Sequence, residues 1–217
     1  MRIRISVFGC VVEKQMPLEI KEVVKNPNLI LQYFLVLVKK IQVKRVEKNG
    51  HVFYKYKRDF YPEYLNKGNA CSFILDKAKH YCQGKGIDVG ADIWPLPGAI
   101  PILNKENQNA YKLDNFLDCS LDYVFSSHCL EHLVKWEEAL SLWIRKLKIN
   151  GILFLYLPHK SMRLWNPGGP WVGLEHKWIP TFEVINKFLM NNGMVLIEHN
   201  SDKDAYWSFH IVAKRVV

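Results

Sequence analysis

The chain has 217 residues, 49% of them apolar and 24% charged, the balance of a globular protein and not of a disordered or fibrous one. At this length roughly 70% of the unfolded surface can be buried, so a core needs neither metal nor disulfide to complete it. Lys and Arg number 30 against 21 Asp and Glu, a formal charge of +9, which favours anionic partners without choosing between small molecules, nucleic acid and membrane surface.

The opening MRIRISVFGC has its apolar stretch, Ile5 to Val12, broken by Gly9 and followed by Glu13 and Lys14. So interrupted, it is a marginal apolar core for an export signal, and the run before Cys10 is too short for a lipoprotein signal cleaved there. The run LILQYFLVLV from Leu29 to Val38 falls well short of the roughly twenty residues that span a bilayer, so no membrane span is expected. Five cysteines (Cys10, Cys71, Cys82, Cys119, Cys129) are scattered with no C-x-x-C pair. This argues against a disulfide framework and fits a reducing cytoplasm. Residues 1–67 read as a basic arm. Within it Asn49-Gly50, between IQVKRV and HVFYKYK, marks a hairpin turn. Lys alternating with aromatic residues there fits a half-buried strand better than a nucleic-acid patch.

From residue 68 strands and helices alternate. NACSFILDKAKHYC has helical spacing and leads into GKGIDVGAD, a short strand ending in Gly. GAIPIL and LDYVFSS are further strands. LVKWEEALSLWIRKLK is a helix that Asn150-Gly151 is expected to stop, and ILFLYLP is the next strand. Thr181 with Glu183 opens the helix TFEVINKFLMNN, stopped by Gly193, and MVLIEH with AYWSFHIVAKR closes the chain as an antiparallel edge hairpin. The alternation predicts an α/β domain over 68–217, a doubly wound, mainly parallel sheet with helices on both faces. Ligands of such sheets sit beyond the carboxyl ends of the strands.

Those ends carry the chemistry. Asp88-Val89-Gly90-Ala91 places a carboxylate and a glycine at the first turn, where a ligand can approach backbone without a Cβ in the way. The third strand ends Ser126-Ser127-His128-Cys129-Leu130-Glu131-His132, and the fourth runs into Pro158-His159-Lys160, so two strands deliver histidines to one edge.

The string GKGIDVGAD, then DNFLDCSLDYVFSSHCLEHL, then ALSLWIRKLKINGILFLYLPH resembles the class I S-adenosylmethionine-dependent methyltransferases, most nearly the small-molecule methyltransferase domains of the type 11 kind. The resemblance covers 68–217. It implies a Rossmann-like methyltransferase fold of seven strands, the last antiparallel, with S-adenosylmethionine as cofactor. Asp88, Gly90 and Ala91 match the family motif that holds the methionine end. Asn109 and Ala110 match the loop that meets adenine, and Ser127 and His128 match the strand end beneath the sulfonium. The second half of the first motif is altered to Ala91-Asp92-Ile93. The acid expected for the ribose is absent, which leaves Asn104 or Glu106 for that contact. The segment before the domain commonly lies over the cofactor in this architecture, so Tyr61 and Lys67 become candidate lid and substrate contacts.

Two other readings compete with this one. His128-Cys-Leu-Glu131-His132 fits H-x-x-E-H, the inverted zinc-peptidase motif, but that motif needs both histidines on one long helix. Here it follows directly on a strand, and no metal site is expected. A non-catalytic RNA- or glycan-binding relative would use the basic and aromatic surface.

The reading favoured is methyl transfer to a small, anionic metabolite, such as a phosphorylated or nucleotide-linked sugar or a surface-polysaccharide precursor, with nucleic acid disfavoured. A hydroxyl or amine acceptor would be helped by a histidine base, the candidates being His128, His159 and His176. Trp165, Lys177 and Glu131 are candidate substrate contacts, the first two from the Gly/Pro/Trp-rich segment LWNPGGPWVGLEHKW.

Overall fold

The computed structural model describes residues 6–7, 10–11 and 26–217. The export-signal and lipoprotein readings of the opening residues rest largely outside them. Two short strands, β1 (Ser6–Val7) and β2 (Cys10–Val11), pair antiparallel. Helix α1 (Pro27–Ile41) starts at Asn26, whose side chain caps the amides of Asn28 and Leu29, with Pro27 at the first turn. It carries the apolar run Leu29 to Val38 yet buries only Val36, leaving Leu31, Phe34, Leu37 and Ile41 exposed. No helix among the described residues is long and apolar enough to cross a membrane.

β3 (Lys44–Lys48), β4 (His51–Tyr56) and β5 (Asp59–Pro62) form an antiparallel sheet. The expected hairpin is present: Lys48 pairs with His51, and Asn49 and Gly50 take φ of +52° and +73°, the two left-handed positions such a tight turn requires. After a 3-10 turn at Glu63–Asn66 comes α2 (Cys71–Tyr81).

The central sheet follows, from β6 (Gly86–Val89), β7 (Ile100–Ile102), β8 (Leu121–Ser127), β9 (Leu147–Pro158), β10 (Met194–Asn200) and β11 (Ser208–Arg215), in the order β10-β11-β9-β8-β6-β7. β6 to β9 run parallel, and β11 is antiparallel to both its neighbours, the edge hairpin read from the sequence. The sheet has six strands among the described residues, not seven. Beyond β7 the chain folds back on itself through bridges Lys105–Gln108 and Asn109–Lys112, and adds no further edge strand. Nor is there a helix between β6 and β7, where Pro95 and Pro97 stand in a connection of turns and cannot donate helical hydrogen bonds.

Side chains of the parallel strands alternate between two cores, as strands buried on both faces must. Val124, Leu153, Leu155 and Leu157 face α3 (Trp136–Lys146) and α4 (Phe182–Asn191) in an aliphatic layer. Tyr123, Phe125, Phe154 and Tyr156 face α2 and the arm in an aromatic one. Thr181 caps α4 by accepting from Val184 N, and Gly193, φ +72°, follows its end. The Asn150-Gly151 stop is a correction. α3 already ends at Lys146, and the pair sits within β9, Asn150 at φ +67°, beside a register shift between β8 and β9.

Candidate functional site

The carboxyl ends of β6 and β8 open on a cavity of about 340 Å³. Its β6 wall starts with Asp88, 2% exposed. Asp88 Oδ2 accepts from Leu96 N at 2.8 Å, while Oδ1 is buried with no hydrogen-bond partner among the described residues. Burial raises this carboxyl to about 7, against the smaller lowering by the Leu96 amide. Gly90 takes φ +82° and donates to Ile102 O at 3.0 Å. A Cβ there would lie 2.5 Å from Cys129 Cβ and 2.6 Å from its sulfur. The glycine thus serves packing against the β8 end as well as ligand approach.

On the β8 side Ser127 lines the same cavity, and its buried Oγ has no partner. His128 follows in the left-handed region, φ +51°, a conformation uncommon outside glycine that marks a constrained position. It is held by His128 N to Tyr156 O at 2.9 Å and by Nε2 against Ser208 Oγ at 2.8 Å. Its ring meets Trp165 edge-on, centroids 5.2 Å apart.

Below it Glu131, 0% exposed, has both oxygens without a hydrogen-bond partner among the described residues. Its Oε1 lies 3.7 Å from His128 Nδ1 and 3.8 Å from His176 Nε2. His176, 6% exposed, stands 4.5 Å from His132, ring to ring and nearly perpendicular. Burial raises Glu131 to about 8 and lowers both His128 and His176 to about 3, with neighbouring imidazoles adding to the latter two. Both of these rings are neutral at physiological pH.

The segment carrying His176 is fixed to the β8 end. Lys177 N donates to Glu131 O at 2.8 Å, Trp178 Nε1 donates to Leu130 O at 3.0 Å, and Trp178 stacks on Trp136 at 4.7 Å. Trp165, Trp171 and Tyr206 complete the aromatic wall.

A second cavity, about 570 Å³, shares Gly90, Asp92, His128 and His132 with the first and extends over Asn104, Asn109 and Ala110 to Cys129 and Leu133. The Asn109 side chain is engaged locally, Nδ2 donating to Lys105 O at 3.0 Å and Oδ1 accepting from Tyr111 N at 2.9 Å. Ala110 O accepts from Trp143 Nε1 at 2.8 Å. A third cavity, about 430 Å³, meets the first at Asn66 and Trp171 and is lined by Lys40, Arg45 and Tyr54 of the arm.

The structure therefore brings Asp88, Gly90, Ala91, Asn104, Asn109, Ala110, Ser127, His128, Trp165 and His176 to one cleft, with Glu131 behind its wall. Others lie elsewhere. His159 bonds Ser161 Oγ at 2.7 Å and lines a separate small recess at the start of α4. Tyr61 is a core residue, fully buried, its ring 4.7 Å from Trp207. Lys67 lines an outer groove of the arm. Lys177 directs Nζ to Leu174 O at 2.8 Å. Trp94, Trp171 and Tyr206 line the first cavity without having been singled out from the sequence. They come from a turn, a loop and the approach to β11, and no spacing pattern joins them.

The model of a family described as "Methyltransferase domain" matches residues 77–155. By sequence, no curated protein matches the chain. Among solved structures, the S-adenosylmethionine-dependent methyltransferase of Mesorhizobium loti superposes with a TM-score of 0.52 at 11% identity, covering 69% of this chain and 100% of that one. A SAM-dependent methyltransferase of Thermotoga maritima gives 0.52 at 12% identity, covering 70% and 91%. At such identities the likeness is one of fold.

The residues present fit that fold's cofactor. Asp88 Oδ1, a buried acceptor with no partner, suits the ammonium of the methionine end, and Ser127 Oγ is a second unmatched polar atom in the same cavity. The adjoining cavity over Asn104, Asn109 and Ala110 has room for a nucleoside.

Proposed function

We propose, on the premise that this chain carries a methyltransferase domain in the S-adenosylmethionine-dependent fold and takes that cofactor, that it methylates a small anionic metabolite. A phosphorylated or nucleotide-linked sugar or a surface-polysaccharide precursor is the class intended. The observation that carries the substrate class is the third cavity. It adjoins the cofactor cavity at Asn66 and Trp171 and offers Lys40 and Arg45 beside Tyr54 and Trp171, so cations and aromatic faces stand where an acceptor can reach the reaction centre. Arg45 also meets Glu63, but at 3.4 Å and on an exposed face, which leaves most of its attraction available.

The bound cofactor supplies an electrophilic methyl group. The chain's own part is binding, orientation and control of charge. Asp88 and Ser127 would hold the amino-acid end, and Asn104, Asn109 and Ala110 the nucleoside. His128, held between Ser208 and Trp165, borders both cavities. Holding two reactants aligned is itself worth many powers of ten in rate. Imidazoles lowered to about 3 are weak bases at neutral pH. That favours an acceptor oxygen already ionised over one deprotonated by His128 or His176. Four free thiols among the described residues agree with a reducing cytoplasm as the place of action.

The test is calorimetric titration with S-adenosylmethionine and S-adenosylhomocysteine, then a screen of acceptors with the former. Binding of both and turnover of an anionic acceptor are expected. kcat/KM should fall as salt rises, because attraction is screened over about 8–10 Å at physiological ionic strength. Lys40→Ala and Arg45→Ala should raise KM with little change in kcat. Turnover of neutral acceptors at a salt-independent rate would overturn the anionic reading.

A further inference from the structure

Beyond His128, the H-x-x-E-H run has no part in the cofactor reading, and it ends in a cluster of a buried carboxyl and two imidazoles. We propose that Glu131, His132 and His176 bind one divalent first-row transition-metal ion, zinc being the reference ion, at the floor of the cleft. One ligand atom from each lies within 4.8 Å of the others.

Four observations converge. A fully buried carboxylate with neither oxygen hydrogen-bonded is costly unless a cation or donor meets it. The ring nitrogen of His176 stands off from it at 3.8 Å, beyond hydrogen-bond reach. Two ligands on one ion, each about 2.0–2.2 Å from it, are themselves separated by about 3–4 Å, so this gap suits an ion between the two groups.

The two histidines are also brought together: their rings stand 4.5 Å apart and nearly perpendicular, and one nitrogen of each comes within 4.8 Å of the other and of a Glu131 oxygen. Finally, Lys177 N to Glu131 O at 2.8 Å fixes the distant loop against the strand end, so the site is assembled before an ion arrives.

The ligand set is not that of the peptidase motif. His128 ends a strand at φ +51°, and Leu130–His132 is a single 3-10 turn, so His128 and His132 are not stacked one helical turn apart. His128 is bonded to Ser208, and His176 from the loop takes its place. Two imidazoles and one carboxylate suit zinc, iron, cobalt or nickel better than magnesium or calcium. Three protein ligands leave a position open, and His132 and His176 both line the first cavity, which the third cavity adjoins. An oxygen acid bound in that position gives up its proton to bulk water more readily. This would supply an ionised acceptor oxygen. Only this role rests on the methyltransferase reading; binding of the ion does not.

The experiment titrates Zn²⁺, and Co²⁺ for its visible spectrum, into chelator-stripped full-length protein without cofactor or acceptor. One ion per chain is expected, with a Co²⁺ spectrum of nitrogen and oxygen coordination and a raised Tm. His176→Ala, His132→Ala and Glu131→Gln should each weaken binding by at least 10- to 100-fold, whereas exposed His80→Ala should not. Folding of each variant is checked by circular dichroism; should Glu131→Gln not fold, the two histidine variants decide the matter. Wild-type protein that is folded yet retains no ion, or folded histidine variants that bind as tightly as wild type, would overturn the site. Titration of S-adenosylmethionine into the same stripped protein tests the cofactor reading separately. Chelation should abolish turnover while leaving that affinity intact, and turnover unaffected by chelation would overturn the catalytic role of the ion.

Discussion

The two ends of the cleft, at β6 and at β8, each bury a carboxylate and equip it differently. Asp88 keeps one backbone amide, from Leu96, and leaves one oxygen unmatched beside the open cavity. Glu131 has no donor among the described residues and lies between two imidazoles. Both are pushed up by burial, to about 7 and about 8. A half-satisfied acid beside a cavity suits a ligand cation that comes and goes. A wholly unsatisfied one among histidines suits an ion that stays. Burial alone does not distinguish these roles; the neighbouring donors do.

Asp88→Asn gives the largest expected effect. It keeps the acceptor for Leu96 N but removes the charge, so cofactor affinity should drop by about 10- to 100-fold, the worth of a hydrogen bond to a charged group, as read by calorimetry. Zn²⁺ binding should be unchanged, and loss of both together would break the division between the two ends. The same variant should melt higher than wild type. Because Asp88 is raised above its unfolded value near 3.8, the folded state holds an extra proton between about pH 4 and 7. The stability this contributes is fully present below pH 4 and is lost as pH rises through 7, so the variant's advantage in Tm should grow from pH 5 to pH 8.

Next in size, cofactor affinity of the wild type should fall as pH drops below about 7, approaching tenfold per unit, since only ionised Asp88 pairs with an ammonium group. A flat profile in calorimetry would move that contact elsewhere.

The smallest effect joins the two ends. Gly90→Ala forces a Cβ against Cys129 and should cost about 1–3 kcal/mol, seen in chemical denaturation. Cys129→Gly in the same chain should restore part of the loss.

Much of this was legible in the sequence, for identifiable reasons. β8 and β9 are nearly continuous apolar runs because both their faces are covered, and Thr181 and Gly193 bracket α4 by local chemistry that needs no partner. Asp88, Gly90 and His128 could be located because strand ends are where such sheets expose polar groups. His159 escapes that logic. His128 N bonds Tyr156 O, while β9 runs on to Pro158, which pairs with Ser208, so His159 leaves the sheet about one strand step higher and turns toward α4. The missing edge strand was expected from family resemblance, and residues 103–120 lack the periodicity to form it. α1 misleads in the opposite sense. Its apolar run promises burial, but only the tertiary arrangement shows that Val36 alone is covered.

The hydrogen bond from Trp143 to Ala110 has a consequence for local opening. Residues 103–120 border the nucleoside side of the cleft without helix or named strand. They are anchored by the buried side chains of Leu113 and Phe116, by this indole contact from α3, and at their end by Asp118, Cys119 and Ser120 against Arg145 and Lys146. A segment whose amides are held in isolated bonds opens at a free energy set by its anchors and not by ladders of its own. Its hydrogen exchange should therefore follow the packing of Trp143, so that a substitution in the core of α3, remote from any ligand, would loosen the nucleoside wall before it unfolds the sheet.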